Sequence, residues 1–143
     1  MPTNEEIQQT FQKIVLAFDS AFDMVANKKV IDPLVEQIRQ QALERVRLNA
    51  PVDTGGFRNS LFVETTVNQH EIIFDFGSTM PDRVYRLHEE EYHLGAVSEE
   101  QPTTVEGGVG NKFFTRVIDY WEDIWAQQIE DAIIDIITQE LTS

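Results

Sequence analysis

The sequence predicts an α+β fold: two N-terminal helices, a small antiparallel sheet of about three strands, and a long C-terminal helix. Three patterns predict it. Apolar residues recur at spacings of three and four from Ile7 to Val46, give way to strand formers from Leu61 to Val67 and a period of two through Ile72, Phe74 and Phe76, and return to helical spacing from Phe114 to Leu141. Helices set apart from a run of strands, rather than interleaved with it, belong to the α+β class. The 143 residues suffice for one core. Residues 1–30 are expected as an N-terminal helical extension and residues 31–143 as an α+β domain.

The first helix is expected over residues 4–27. Ile7, Phe11, Ile14, Phe18, Phe22 and Val25 make one apolar face, Thr3 and Glu6 form a capping box, and Lys28 with Lys29 suits the negative end of the dipole. Asp32-Pro33 then reads as a restart, with Asp32 as cap and Pro33 at the first helical position. Leu34, Ile38, Ala42 and Val46, flanked by Val35 and Leu43, carry the second helix to Asn49-Ala50-Pro51, where the proline stops it. Phe62, Val63, Thr65, Thr66 and Val67 are strand formers, Asn68-Gln69 is a turn, and Ile72, Phe74 and Phe76 alternate with Ile73 and Asp75, predicting a hairpin. After a loop over residues 77–82, residues 84–89 are expected to form a third strand. Gly95, Pro102, Gly107, Gly108 and Gly110 mark residues 94–110 as a long loop. In the last helix some 28 residues make a rod of roughly 42 Å, long enough to pack on the N-terminal helices or on a neighbouring subunit. Its far face carries Asp119, Glu122, Asp123, Glu130, Asp131, Asp135 and Glu140.

Twenty-five acidic residues against 11 basic ones leave a formal net charge of −14. A duplex-DNA binder displaces counterions with Lys and Arg, and this chain offers few. Solubility explains the charge, and so does a wall past which DNA slides without sticking; composition does not choose between them. No apolar run approaches the roughly 18 residues that cross a bilayer, and residues 1–9 are polar and acidic where a signal peptide is basic and then apolar. With no cysteine there is no disulfide and no thiolate chemistry, and synthesis in a reducing cytoplasm is expected.

The candidates for chemistry fail on spacing. His88 and His93 lie five apart around three glutamates, whereas a helical zinc pair needs four, so no metal is expected. No serine sits in a Gly-x-Ser-x-Gly elbow. Asp53-Thr54-Gly55 has the letters of an aspartic protease, but it follows a helix rather than sitting in an all-β protein facing a second copy. Gly107-Gly108-Val109-Gly110-Asn111-Lys112 runs into Phe113 and lacks the hydroxyl that a phosphate loop gives to magnesium. No catalytic residue and no cofactor is expected. Residues 51–60 make structural sense instead: a proline stop, Asp53 and Thr54 as turn formers, permissive Gly55-Gly56, and then Arg58 and Ser60 alternating with Phe57 and Leu61. In so acidic a chain Arg58 is the natural partner for a carboxylate on a neighbour.

The run Ala50-Pro51-Val52-Asp53-Thr54-Gly55-Gly56-Phe57-Arg58-Asn59-Ser60-Leu61 resembles the Ala-Pro-Val-Asp-Thr-Gly-x-Leu-Arg-x-Ser-Ile signature of the tail-completion and head–tail connector proteins of tailed bacteriophages. Tyr85-Arg86-Leu87-His88-Glu89 is similar to that family's Tyr-x-x-x-Glu block, and Lys112-Phe113-Phe114 to the opening of its last helix. The resemblance covers residues 35–140 in order. Phe57 stands where the family has Leu, and extra acidic residues follow Glu89. The resemblance implies a non-enzymatic virion protein, made in the host cytoplasm and built into the phage neck. There it would form a ring, commonly six-fold, that completes the tail and joins it to the head. Its partners would be copies of itself and other neck, connector or tail-tube proteins, with DNA only as passing cargo and no membrane. On this resemblance Asp53, Thr54, Arg58, Ser60, Tyr85, Glu89, Lys112 and Phe113 are the expected subunit or partner contacts. A tail terminator or minor capsid protein is the alternative within that class; outside it stands an acidic protein-binding module or DNA mimic.

Overall fold

A computed structural model of the chain describes residues 9–52, 56–89 and 103–142. A three-stranded antiparallel sheet, in the order β1-β3-β2, is built from β1 (Gln9–Ala17), β2 (Leu61–Val67) and β3 (Glu71–Ser78). Two long helices, α1 (Lys28–Asn49) and α4 (Phe113–Thr142), cover one face; α1 lies over β2 and α4 reaches β1. The helices run antiparallel, because Trp125 Nε1 donates to Gln41 Oε1 at 2.9 Å while Arg45, one turn further along α1, stacks over Trp121, one turn earlier on α4. The sheet's other face is polar or half-buried, with Lys13, Asp75 and Glu64 in one cross-strand row.

The hairpin and the C-terminal helix stand as expected. In β3, Ile72, Phe74 and Phe76 are all fully buried, while Ile73 and Asp75 face the other side. Helix α4 runs for 30 residues. Its stripe of Phe113, Phe114, Val117, Trp125, Ile129 and Ile133 closes the core against Ile31, Val35, Ile38, Ala42 and Val46 of α1.

Three expectations are corrected. The segment expected as the first helix and helical extension holds strand β1, an edge of the same sheet. Ile14 and Leu16 are buried and pair with Phe74 and Ile72, while Lys13, Val15 and Ala17 point outward, a period of two. A bulge between Thr10 and Gln12 accommodates the helix-like spacing from Phe11 to Ile14. It lets Phe11 reach the rings of His88 and Phe114 on the same side from which Gln12 Nε2 donates to Thr115 Oγ1 at 2.8 Å. Beyond β1, Asp19 and Asp23 accept hydrogen bonds from backbone N–H groups two and three residues on, turning the chain. Phe22 and Met24 then plug the core end beside the hairpin turn.

Helix α1 starts at Lys28, not at Pro33. Pro33 sits inside it near the start, where it removes a single intrahelical hydrogen bond, and burial of Ile31 carries the helix across that loss. The expected third strand is helix α3 (Pro81–Glu89), which follows the short helix α2 (Gly56–Ser60) in the order of helices. Val84-Tyr85-Arg86-Leu87 alternates like a strand. Among the described side chains, however, those that enter the core are Val84 and His88, four apart, and Pro81 opens the helix with Ser78 Oγ accepting from Met80 N–H at 2.9 Å.

Candidate functional site

The segment carrying the family-like signature is the junction between α1 and the hairpin. Ala50 has no exposed surface, and Phe57 and Leu61 are 1% and 2% exposed. The Arg58 guanidinium turns back on the end of α1: Nε donates to the Ala50 carbonyl at 3.0 Å and Nη2 to the Leu48 carbonyl at 3.4 Å. These are carbonyls that a helix C-terminus leaves without partners, and a cation there also suits the dipole. Burial lowers the Arg58 pKa. Arg47 Nε donates to the Arg58 carbonyl at 3.2 Å, so each arginine ties the other's segment down. Ser60 Oγ donates to the Phe57 carbonyl and meets Ser78 Oγ at 2.8 Å, linking the junction to β3. Phe57 packs edge-on against Phe113 and lies 5.8 Å from the Arg83 guanidinium carbon.

A second cluster, missed in the sequence, pins the approach to α4. Glu106 receives a two-pronged guanidinium bond from Arg45 and a hydrogen bond from Trp121 Nε1 at 2.8 Å. Its side chain is wholly buried while that of Arg45 is 20% exposed. Burial by itself would raise the Glu106 pKa. The bonds from Arg45, Trp121 and its own backbone N–H, with the Arg45 charge, outweigh that and hold it at about 2, against an ordinary 4.5. Arg116 Nη1 donates to the carbonyls of Glu106 and Gly108 at 2.9 and 2.8 Å, and its Nε to that of Asn111 at 2.9 Å. Buried Asn49 donates to the Arg45 carbonyl at 2.8 Å, accepts from Thr104 Oγ1, and through its backbone carbonyl accepts from Gly110 N–H at 3.2 Å. Residues 103–112, expected as part of a loop, are thus clamped between α1 and α4. The rest of that expected loop, residues 94–102, lies outside the described residues.

Two predictions arise from this clamp. Gly107 has φ +116°, and a Cβ there would stand 3.0 Å from Arg116 Nη1. Gly107→Ala is expected to lower stability by about 1–2 kcal/mol, read by urea denaturation. Glu106→Gln mimics the protonated acid. It is expected to cost about 2 kcal/mol at pH 7, a figure discounted for solvent around Arg45. Because the folded-state pKa is depressed, the stabilisation is present above about pH 4.5 and is lost as the pH falls toward 2. The gap between wild type and Glu106→Gln should therefore close over that window in a chemical-denaturation series. A constant gap would show that the charge is not its source.

The expected contact residues fall into different settings. Asp53 and Thr54 lie outside the described residues. Tyr85 and Glu89 are placed on α3 rather than on a strand, with their side chains outside the described part. Ser60 and Phe113 are buried, so within this chain they are core groups rather than surface contacts. Arg58 spends two donors on the end of its own helix. Lys112 adopts φ 56° and donates its backbone N–H to the His88 carbonyl at 2.7 Å, making the corner at which α4 begins. The structure brings Arg58, Ser60 and Phe113 to one neighbourhood around Phe57, while Lys112 stands at the adjoining corner.

Of the candidates for chemistry, His88 has no exposed surface; it lies among the rings of Phe11, Phe113 and Phe114, with Nε2 3.4 Å from the Thr115 N–H. His93 lies outside the described residues. Among the described residues no group of three His, Asp or Glu side chains is placed to hold a metal, and no helix is long and apolar enough to cross a membrane. Ser60 and Ser78 face each other with no imidazole or carboxylate bonded to either among the described residues. A depression of about 500 Å³ between α1 and β2, lined by Lys28, Asp32, Glu36 and Thr65 beside Val25, Val35 and Val67, opens to the surface.

Compared with known proteins, the chain matches no family model, no curated protein and no solved structure.

Proposed function

We propose that this chain is a structural, non-enzymatic protein of a tailed-phage neck, which assembles as a ring, completes the tail and joins it to the head around a passage for DNA. The observation that carries the reading is the run from Ala50 to Leu61. It resembles the connector signature at most of its positions, and its described side chains, at Ala50, Phe57, Arg58, Ser60 and Leu61, pack or bond at the corner between helix and hairpin. Arg58 and Ser60 hold that corner, so the signature positions the surfaces around it.

Two further features support the reading. The chain's acidity suits a passage from which DNA must not bind, because fixed negative charge repels phosphate. A 30-residue helix, about 45 Å long, is longer than a domain of this size needs for its own core and is available to a neighbour. A tail terminator would use the same corner and the same helix.

The test is location. Particles purified from a host expressing the phage genes should carry the chain in a small fixed copy number, with antibody label at the head–tail joint. Finding it only in the soluble fraction, as a monomer bound to a basic protein, would replace this reading with that of an acidic binding module or DNA mimic.

A further inference from the structure

Helix α4 outruns the helix it packs on. The pairs Trp125–Gln41 and Trp121–Arg45 set an antiparallel register that brings Thr138 level with Lys28, the first residue of α1. Residues 139–142 lie beyond that point, and every residue from Ile137 to Thr142 is exposed. A helix end without packing has little to hold it, since most helical stability in proteins comes from a buried face. Yet this end is apolar along one stripe: Ile134, Ile137 and Leu141, at spacings of three and four, are 52%, 41% and 81% exposed. Acids flank the stripe at Glu130, Asp131 and Asp135, and α4 carries seven acidic residues against the single base Arg116 in its first turn. Two such ends would repel each other, so the stripe calls for a surface that is apolar and basic.

The opposite end of the molecule has one. On α1, roughly 25 Å away along the helix axis, Leu43 and Leu48 floor a groove of about 350 Å³, edged by Gln40, Glu44, Arg47 and Arg58. Both guanidiniums bond to carbonyl oxygens, and neither meets a carboxylate among the described residues. Their charge outweighs that of Glu44, leaving the groove net positive within a chain of net charge −14.

We infer that the C-terminal turns of α4 from one copy seat in the α1 groove of the next copy, with Ile134, Ile137 and Leu141 on Leu43 and Leu48 and the flanking acids toward Arg47 and Arg58. The inference rests on the ring reading above and names its contact. Tail and groove lie at opposite ends, so the interface is heterologous: each copy gives a tail and receives one, and repetition makes a ring or a filament rather than a two-fold dimer.

Mixing two broken variants tests it. Leu141→Asp puts a charge on the exposed stripe, and Arg47→Glu reverses the groove. Gln40→Asp, at the exposed lip of the groove, replaces the latter if Arg47→Glu fails to fold by circular dichroism. In sedimentation equilibrium the wild-type chain is expected as a closed multimer and each variant as a monomer. Mixed in equal amounts, the variants retain one intact groove and one intact tail between them, and should form a heterodimer and nothing larger. A wild-type multimer that survives both substitutions would overturn this contact and leave the ring reading standing. Two monomeric variants that stay monomeric when mixed would overturn the head-to-tail geometry. A wild-type chain monomeric at high micromolar concentration would overturn both.

Discussion

A chain beginning at Phe18, lacking β1, is expected not to fold. Deletion would remove the buried side chains of Ile14 and Leu16, each contributing roughly 1.5–3 kcal/mol of apolar burial. It would also remove Phe11 from the ring cluster around His88. Eight residue pairs between β1 and β3 would go with them, leaving β3 as an unpaired apolar edge flanked on one side only. Against a net stability of about 5–15 kcal/mol for a whole domain, those losses suffice. Near-ultraviolet circular dichroism should lose its aromatic signal, and the product should aggregate through the bared β3. The helical-extension reading makes the opposite prediction: residues 31–143 alone would fold. A cooperative thermal transition in the truncated chain would reinstate it.

Trp125→Ala carries the second large effect. The indole is fully buried at the centre of the helix pair, where it stacks on Trp121 at 5.9 Å and on Phe74 at 6.4 Å and donates to Gln41 at 2.9 Å. Removing it leaves a cavity where α1, α4 and the sheet meet and strips the Gln41 oxygen of its donor. The expected cost is about 3–5 kcal/mol. For a chain of this length that lowers Tm by about 6–20 °C, at about 2–4 °C per kcal/mol. Trp125→Phe keeps the ring and gives up the hydrogen bond and part of the volume, so it should fall well short of that. Equal losses in the two variants would mean that the hydrogen bond, not the packing, holds the helices together.

How far the fold was legible follows from the kind of signal each element carries. The hairpin and α4 were readable because their patterns are long and unambiguous: alternation through Phe74 and Phe76, and a stripe sustained from Phe113 to Ile133. Strand β1 was not. Ile7, Phe11, Ile14 and Phe18 fit a helix by spacing, and the bulge that lets a strand tolerate the step from Phe11 to Ile14 leaves no mark in sequence. Which period wins is decided by β3, more than 50 residues away, which offers an apolar edge to pair with. Helix α3 was misread for a related reason: four residues of apparent alternation are too few to distinguish a strand from a helix that buries Val84 and His88.

The site was partly legible. Local turn chemistry marked Pro51 to Ser60 as a structural corner, and the structure gives Arg58 and Ser60 structural bonds there. The bonds from Arg58 to the carbonyls at the end of the preceding helix, eight and ten residues earlier at Ala50 and Leu48, had no signal in the sequence. Glu106 was invisible because its partners, Arg45 and Trp121, are 61 and 15 residues away, and a lone glutamate among glycines reads as a solvated loop residue. A long-range ion pair carries no periodicity to detect.

The neck assignment is tested most directly by removing the chain from an otherwise complete phage and imaging the lysate. The proposal predicts DNA-filled heads and finished-length tails lying apart, rejoined into infectious particles when purified wild-type chain is added back. Intact, infectious virions in its absence would contradict it.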